Sequence, residues 1–184
     1  MDLLFKDPIY FIKTYFAFSP IGFLVAFAGF FVVMVFLCRK RFKSRIGKWG
    51  FIILLSFYLA TLVGMTLLSV GRVETAVIHL NPLDNIRDLL DYDASIHQLR
   101  GCLSNIVLFI PFGVFSAIYF RKHKIIYSLL SGFLVSLIIE ILQYALHRGC
   151  AETMDVICNT IGALIGAVIM LFMKLIYRKH QTKE

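Results

Sequence analysis

The chain has 184 residues, of which 59% are apolar and only 16% charged, with a mean hydropathy of +0.82. Those proportions exclude an ordinary water-soluble domain and point to residence in a membrane. The formal charge of +8 does not imply nucleic acid. The basic residues lie in short runs beside apolar segments, where they act as topology signals and contacts to anionic lipid.

No composition shift or internal repeat marks a second domain, so residues 1–184 read as a single membrane domain. About 20 helical residues cross roughly 30 Å of hydrocarbon. Five stretches meet that length: 16–37, 49–70, 103–120, 125–146 and 156–177. The expected fold is therefore all-α, a polytopic bundle of five transmembrane helices. The third stretch is short, and its rival reading is a re-entrant segment. The basic turn Arg121-Lys122-His123-Lys124 argues for a full span, because it needs a polar side to sit on.

The first two spans carry no ionisable group in their interiors and read as scaffold. Ser19-Pro20 lies early in the first, and Ser56, Thr61, Gly64, Thr66 and Ser69 run along the second. Between the second and third spans, residues 71–101 form an outer loop with a helix-start signal: Asn81 as N-cap, Pro82 at the first helical position and Asp84 in the first turn. Leu83, Ile86, Leu89 and Leu90 recur at three-to-four spacing, with Asp84, Asp88 and Asp91 largely off that face. This predicts a short amphipathic helix on the outer interface, either as a lid over an outward cavity or as a connector.

Charge sets the orientation. The segment 39–48 holds Arg39, Lys40, Arg41, Lys43, Arg45 and Lys48, the 121–124 turn adds three basic residues, and the tail from Lys174 adds four. With five spans, all three fall on one side. The other side holds Lys6, Lys13, Arg72, Arg87, Arg100 and Arg148, diluted by nine of the eleven acidic residues. The positive-inside rule then places the N-terminus outside and the C-terminus in the cytoplasm. The first span has no cleavage signature and reads as retained.

Ionisable and amide groups inside the spans carry the functional signal. Pro111 in the third span cannot donate a backbone hydrogen bond and crowds the carbonyl of Val107, so a kink and a freed acceptor are expected. Asn105, a turn and a half outward, would bond a neighbouring helix or line an outward pocket. The fourth span puts Glu140 and Gln143 three residues apart, with His147 and Arg148 closing the same stripe. A carboxyl in a transmembrane helix costs at least a few kcal/mol unless paired, hydrated or protonated. Glu140 is therefore either a functional group or the anchor of an interhelical hydrogen-bond network. After it come Glu152, Asp155 and Asn159, the last two a helical turn apart. Gly162 and Gly166 form a small-xxx-small packing seam. Asp155 also suits a helix N-terminus.

The four cysteines, Cys38, Cys102, Cys150 and Cys158, have no paired C-x-x-C spacing, which argues against structural zinc. Cys102 and Cys150 share the expected outer face, where they either form a bridge or serve separately as small apolar residues. His79, His97 and His147 share that face without a ligand pattern, so neither a metal nor another cofactor is expected.

Together these residues resemble the VanZ-like membrane proteins, a family associated with teicoplanin resistance. The resemblance runs through Asn105-x5-Pro111-Phe112-Gly113, then Glu140-x2-Gln143. It continues as Arg148-Gly149-x2-Glu152-x2-Asp155-x3-Asn159-Thr160-x-Gly162-Ala163-x2-Gly166. It covers roughly residues 79–167. Two positions depart from the pattern. His79-Leu80-Asn81-Pro82-Leu83 stands where the family has an Asn-Leu-x-Pro-Phe box, and Glu152 stands where an Asp is usual. The resemblance implies a bacterial cell-membrane protein that lowers susceptibility to glycopeptides acting at the outer face, and it supplies no reaction.

Three functions fit this reading. The first is binding of an envelope lipid, cell-wall precursor or lipoglycopeptide through an outward pocket of Asn105, Glu140, Gln143, Arg148, Glu152, Asp155 and Asn159. In that reading Arg148 pairs with an anionic headgroup while Glu140 and Gln143 bond deeper. The second is an intramembrane enzyme acting on a lipid-linked precursor, with Glu140 or Asp155 as general base. The third is a proton-coupled transporter using Glu140, against which stands the lack of an inverted repeat.

Overall fold

The computed structural model describes residues 20–38, 44–68, 74, 77–81 and 92–181. The chain divides into two compact units, Met1–Glu74 and Thr75–Glu184. The outer amphipathic helix expected after Asn81 falls on residues outside the described ones.

In the first unit, α1 (Pro20–Leu37) packs with α2 (Arg45–Val63), which ends in a single π-helical turn, Gly64–Leu68. Ser44 caps α2 by accepting the Gly47 N–H at 3.3 Å. Phe31 stacks on Trp49 with ring centroids 6.2 Å apart. The Thr61 and Thr66 hydroxyls donate to the carbonyls of Phe57 and Leu62, one turn back, at 2.9 and 2.8 Å. Both hydroxyls are thus satisfied within their own helix and need no external partner in an apolar surround.

The second unit holds three helices, α3 (Tyr92–Tyr119), α4 (Lys124–Ala145) and α5 (Thr153–Gln181), with two short strands, β1 (Ile78–His79) and β2 (Ala151–Glu152). Four described stretches are long and apolar enough to cross a membrane: Arg45–Leu68, Gln98–Tyr119, Lys124–Ala145 and Thr153–Tyr177. Leu24–Val35 of α1 adds a shorter apolar stretch. The third span differs from expectation. Residues 92–101, read as loop, belong to α3, which runs 28 residues without interruption through Pro111. At 1.5 Å per residue that is about 42 Å, so α3 is a full-length helix and not a re-entrant segment. Polar residues such as Gln98 and Arg100 hid this extension from hydropathy.

The α3–α4 turn is tightened by its own basic residue. His123 takes a left-handed conformation (φ 46°), and Lys124 Nζ donates to the carbonyl of Ala117 at 2.8 Å. The last carbonyls of a helix lack intrahelical partners, and a lysine there satisfies one of them.

Missing side chains hold α3 against α5. A Cβ on Gly162 would land on the carbonyl oxygen of Ile106, and one on Gly166 on that of Ile110. In return, a Cβ on Gly113 of α3 would land on the carbonyl of Ala163. One turn before Gly162, Cys158 forms a disulfide with Cys102, with Cα atoms 5.5 Å apart. The contacts advance together along both helices, from Cys102–Cys158 through Ile106–Gly162 to Ile110–Gly166, so α3 and α5 run parallel. Cys150 is exposed and unbridged. The bridge weighed between Cys102 and Cys150 is thereby corrected: Cys158 lies on the same four-residue stripe as Gly162 and Gly166, the stripe that meets α3, whereas Cys150 lies in a loop.

Because the Gly166 site has no room even for a methyl group, Gly166→Ala should force the helices apart. We expect a loss of about 1–3 kcal/mol, read as a lower melting temperature of the detergent-solubilised protein. Gly50→Ala, with nothing within 4 Å of the added carbon, should be neutral or stabilising by up to about 1 kcal/mol. Equal behaviour of the two variants would remove the seam as the basis of the packing.

Candidate functional site

The polar residues of the fourth and fifth spans converge where α4 turns into α5. α4 ends with His147 in a left-handed conformation (φ 53°). The Arg148 N–H bonds the Gln143 carbonyl at 2.8 Å and the His147 N–H bonds the Tyr144 carbonyl at 3.2 Å. This is the six-to-one and five-to-two pattern of a Schellman motif, with histidine where glycine is usual. Gly149 (φ 106°) then redirects the chain.

The redirected chain becomes β2, which pairs in parallel with β1: Ile78 lies opposite Ala151 and His79 opposite Glu152. The Ala151 N–H donates to the Val77 carbonyl at 3.0 Å, and Thr153 Oγ1 donates to the Leu80 carbonyl at 3.1 Å. The segment before α3 and the loop after α4 are thus stitched together. Two-residue strands have no periodicity, so sequence reading missed this pair.

Glu140 is the floor of the assembly. It is only 5% exposed, and its Oε2 accepts the Glu152 N–H at 2.9 Å. The side chain therefore holds β2 down on α4. Asp155 receives a hydrogen bond from the Asn105 side chain, joining α5 to α3. Asn159, 3% exposed, donates through Nδ2 to Ser136 Oγ at 2.8 Å, joining α5 to α4. Glu140, Glu152 and Asp155 lie close enough for their charges to interact. Among the described residues no group of three or more His, Cys, Asp or Glu side chains has metal-binding geometry.

An open cleft of about 210 Å³ lies over this floor. α4 contributes Leu137, Glu140, Ile141 and Tyr144, β1 and the residue after it contribute Ile78 and Leu80, and the α5 side contributes Ala151, Glu152, Thr153 and Val156. Of the sequence-predicted residues, only Glu140 and Glu152 line it. Asn105, Asp155 and Asn159 are not among its lining residues and tie the helices together. Gln143 and Arg148 are half-buried and lie outside the lining, at the turn. Ser136 was missed, although it stands one helical turn before Glu140 on the same face of α4.

If the Glu140 carboxyl anchors β2, then Glu140→Gln, which keeps an acceptor oxygen, should melt close to the wild type. Glu140→Ala strands the Glu152 N–H and opens a void, and should lose about 1–3 kcal/mol relative to the Gln variant. Coincident melting curves for the two variants would show that this bond does not hold the loop.

Comparison with known proteins bears on the same region. The chain is 28% identical over 123 residues to Protein VanZ of Enterococcus faecium, an overlap of 61% of this chain and 68% of that protein. No solved structure matches it. A family profile described as VanZ/LLP1 matches residues 55–174, which takes in the glycine seam, the polar hairpin and the cleft, and the chain belongs to that family.

Proposed function

We propose that this multi-pass membrane protein holds an amphiphilic envelope molecule in the cleft beside Glu140, at the outer face of a bacterial cell membrane, and thereby lowers susceptibility to glycopeptides of the teicoplanin type. The observation that carries the reading is the composition of the cleft. Its walls are mostly apolar side chains, with Glu152 and Thr153 the polar exceptions, and a buried carboxyl stands at its floor. Leu137, Ile141 and Tyr144 remain exposed on α4, so the opening continues onto the surface of a membrane-crossing helix. An amphiphile needs such a surface for its tail and a polar group for its head.

The proposed orientation has the N-terminus outside and the C-terminus in the cytoplasm. Two observations support it. The basic runs at 39–48, 121–124 and the tail mark the cytoplasmic side. The disulfide joins the opposite ends of α3 and α5, and disulfides persist on the oxidising side of a cell membrane. The cleft lies at that same end of α4.

Expression of the wild type in a sensitive bacterium should raise the inhibitory concentration of teicoplanin. Ile141→Trp, which fills the cleft, should abolish the protection at equal membrane abundance. No protection by the wild type would remove the resistance reading, and full protection by the filled variant would move the site elsewhere. On intact cells a membrane-impermeant maleimide should label the exposed Cys150; labelling only after lysis would reverse the orientation.

A further inference from the structure

We infer that the cleft selects a bilayer amphiphile whose headgroup carries a primary ammonium. This rests on the reading of the cleft as an amphiphile site and adds the chemistry of the head. Three observations carry it. Glu140 is more than nine-tenths buried, yet it lines the cleft. Among the described residues it takes a single hydrogen bond, at Oε2 from the Glu152 N–H. A carboxylate accepts up to about four such bonds, so Glu140, a lining residue of the cleft, keeps acceptor capacity at Oε1. Finally, among the described residues no lysine, arginine or histidine lines the cleft, and the acidic side chains of Asp155 and Glu152 lie near Glu140.

An anionic head would meet carboxyl groups at this floor and gain no charge-assisted bond from them. An ammonium brings three donors and the opposite charge, and its bonds to a carboxylate are charge-assisted. The route is set by the walls. Leu137, Ile141 and Tyr144 are exposed on α4 and line the cleft, so a chain lying in the bilayer reaches Glu140 laterally without leaving the apolar phase.

The test uses the full-length protein in phosphatidylcholine vesicles with chain-labelled nitroxide probes: stearylamine, stearyl alcohol and stearyl phosphate. The immobilised fraction of each is read by electron paramagnetic resonance, in the wild type, Glu140→Gln and Ile141→Trp. The amine should be retained about tenfold more strongly than the phosphate, the size of one charge-assisted bond. Glu140→Gln should bring the amine down to the level of the alcohol while leaving the alcohol unchanged. Ile141→Trp should release all three probes.

Equal retention of the three heads, or preference for the phosphate, overturns the ammonium inference while leaving the amphiphile site standing. Retention that Ile141→Trp does not change overturns both. Displacement of labelled stearylamine as effectively by butylamine as by unlabelled stearylamine overturns the bilayer source, because a soluble amine would then suffice. A melting temperature of Glu140→Gln near that of the wild type separates a lost headgroup contact from a lost fold.

Discussion

Everything in the second unit depends on how closely α3 and α5 approach. In an apolar surround, helices gain nothing from excluding water from one another, and association relies on packing and on hydrogen bonds between them. Glycine at 162 and 166 brings the α5 backbone onto the carbonyls of Ile106 and Ile110, and Gly113 makes the reciprocal contact with Ala163. Ala163 also faces Gly132 of α4, so one small residue stands at the meeting point of all three helices. With the backbones that near, short polar side chains reach across. Asn105 meets Asp155, and Asn159 meets Ser136. Wider spacing would leave each of these groups in an apolar interior without its partner, a far less stable arrangement.

The same closeness explains why the polar residues divide into two sets. Asn105, Asp155, Asn159 and Ser136 bridge helices, with one hydrogen bond from Asn105 to Asp155 and one from Asn159 to Ser136. Glu140 lies one turn beyond Ser136, where α4 passes the end of the seam and meets β2 instead of a helix. There its partner is a backbone N–H, and the space above it is the cleft. The site is thus the first place along α4 where the bundle stops being helix against helix.

Sequence reading recovered α4 to within one residue at each end, because a basic turn precedes it and the His147–Gly149 turn follows it. It foresaw the glycine seam, since four-residue spacing of small residues has one main use in a membrane helix. It cut α3 short, because a helix that continues past the apolar layer loses its hydropathy signal while keeping its backbone bonds. It singled out Glu140, since a carboxyl in a transmembrane helix is costly, but not what the side chain touches. The Glu152 N–H is twelve residues away, across a turn whose course depends on a left-handed histidine. The disulfide partner of Cys102 was hidden for a related reason: pairing follows the face of α5, and Cys158 declares its face only when read together with Gly162 and Gly166.

The lysine at the α3–α4 turn has a consequence for how this protein tolerates change. Lys124 belongs to the basic cluster that marks one side of the membrane, and its ammonium also closes the end of α3 at Ala117. A positive charge that only sets sidedness is interchangeable with its neighbours, so Arg121 or Lys122 would compensate for its loss. The cap has no such redundancy, since it depends on the position of one side chain. A substitution that neutralises Lys124 therefore leaves the sidedness signal to its neighbours while fraying the end of α3 at Ala117.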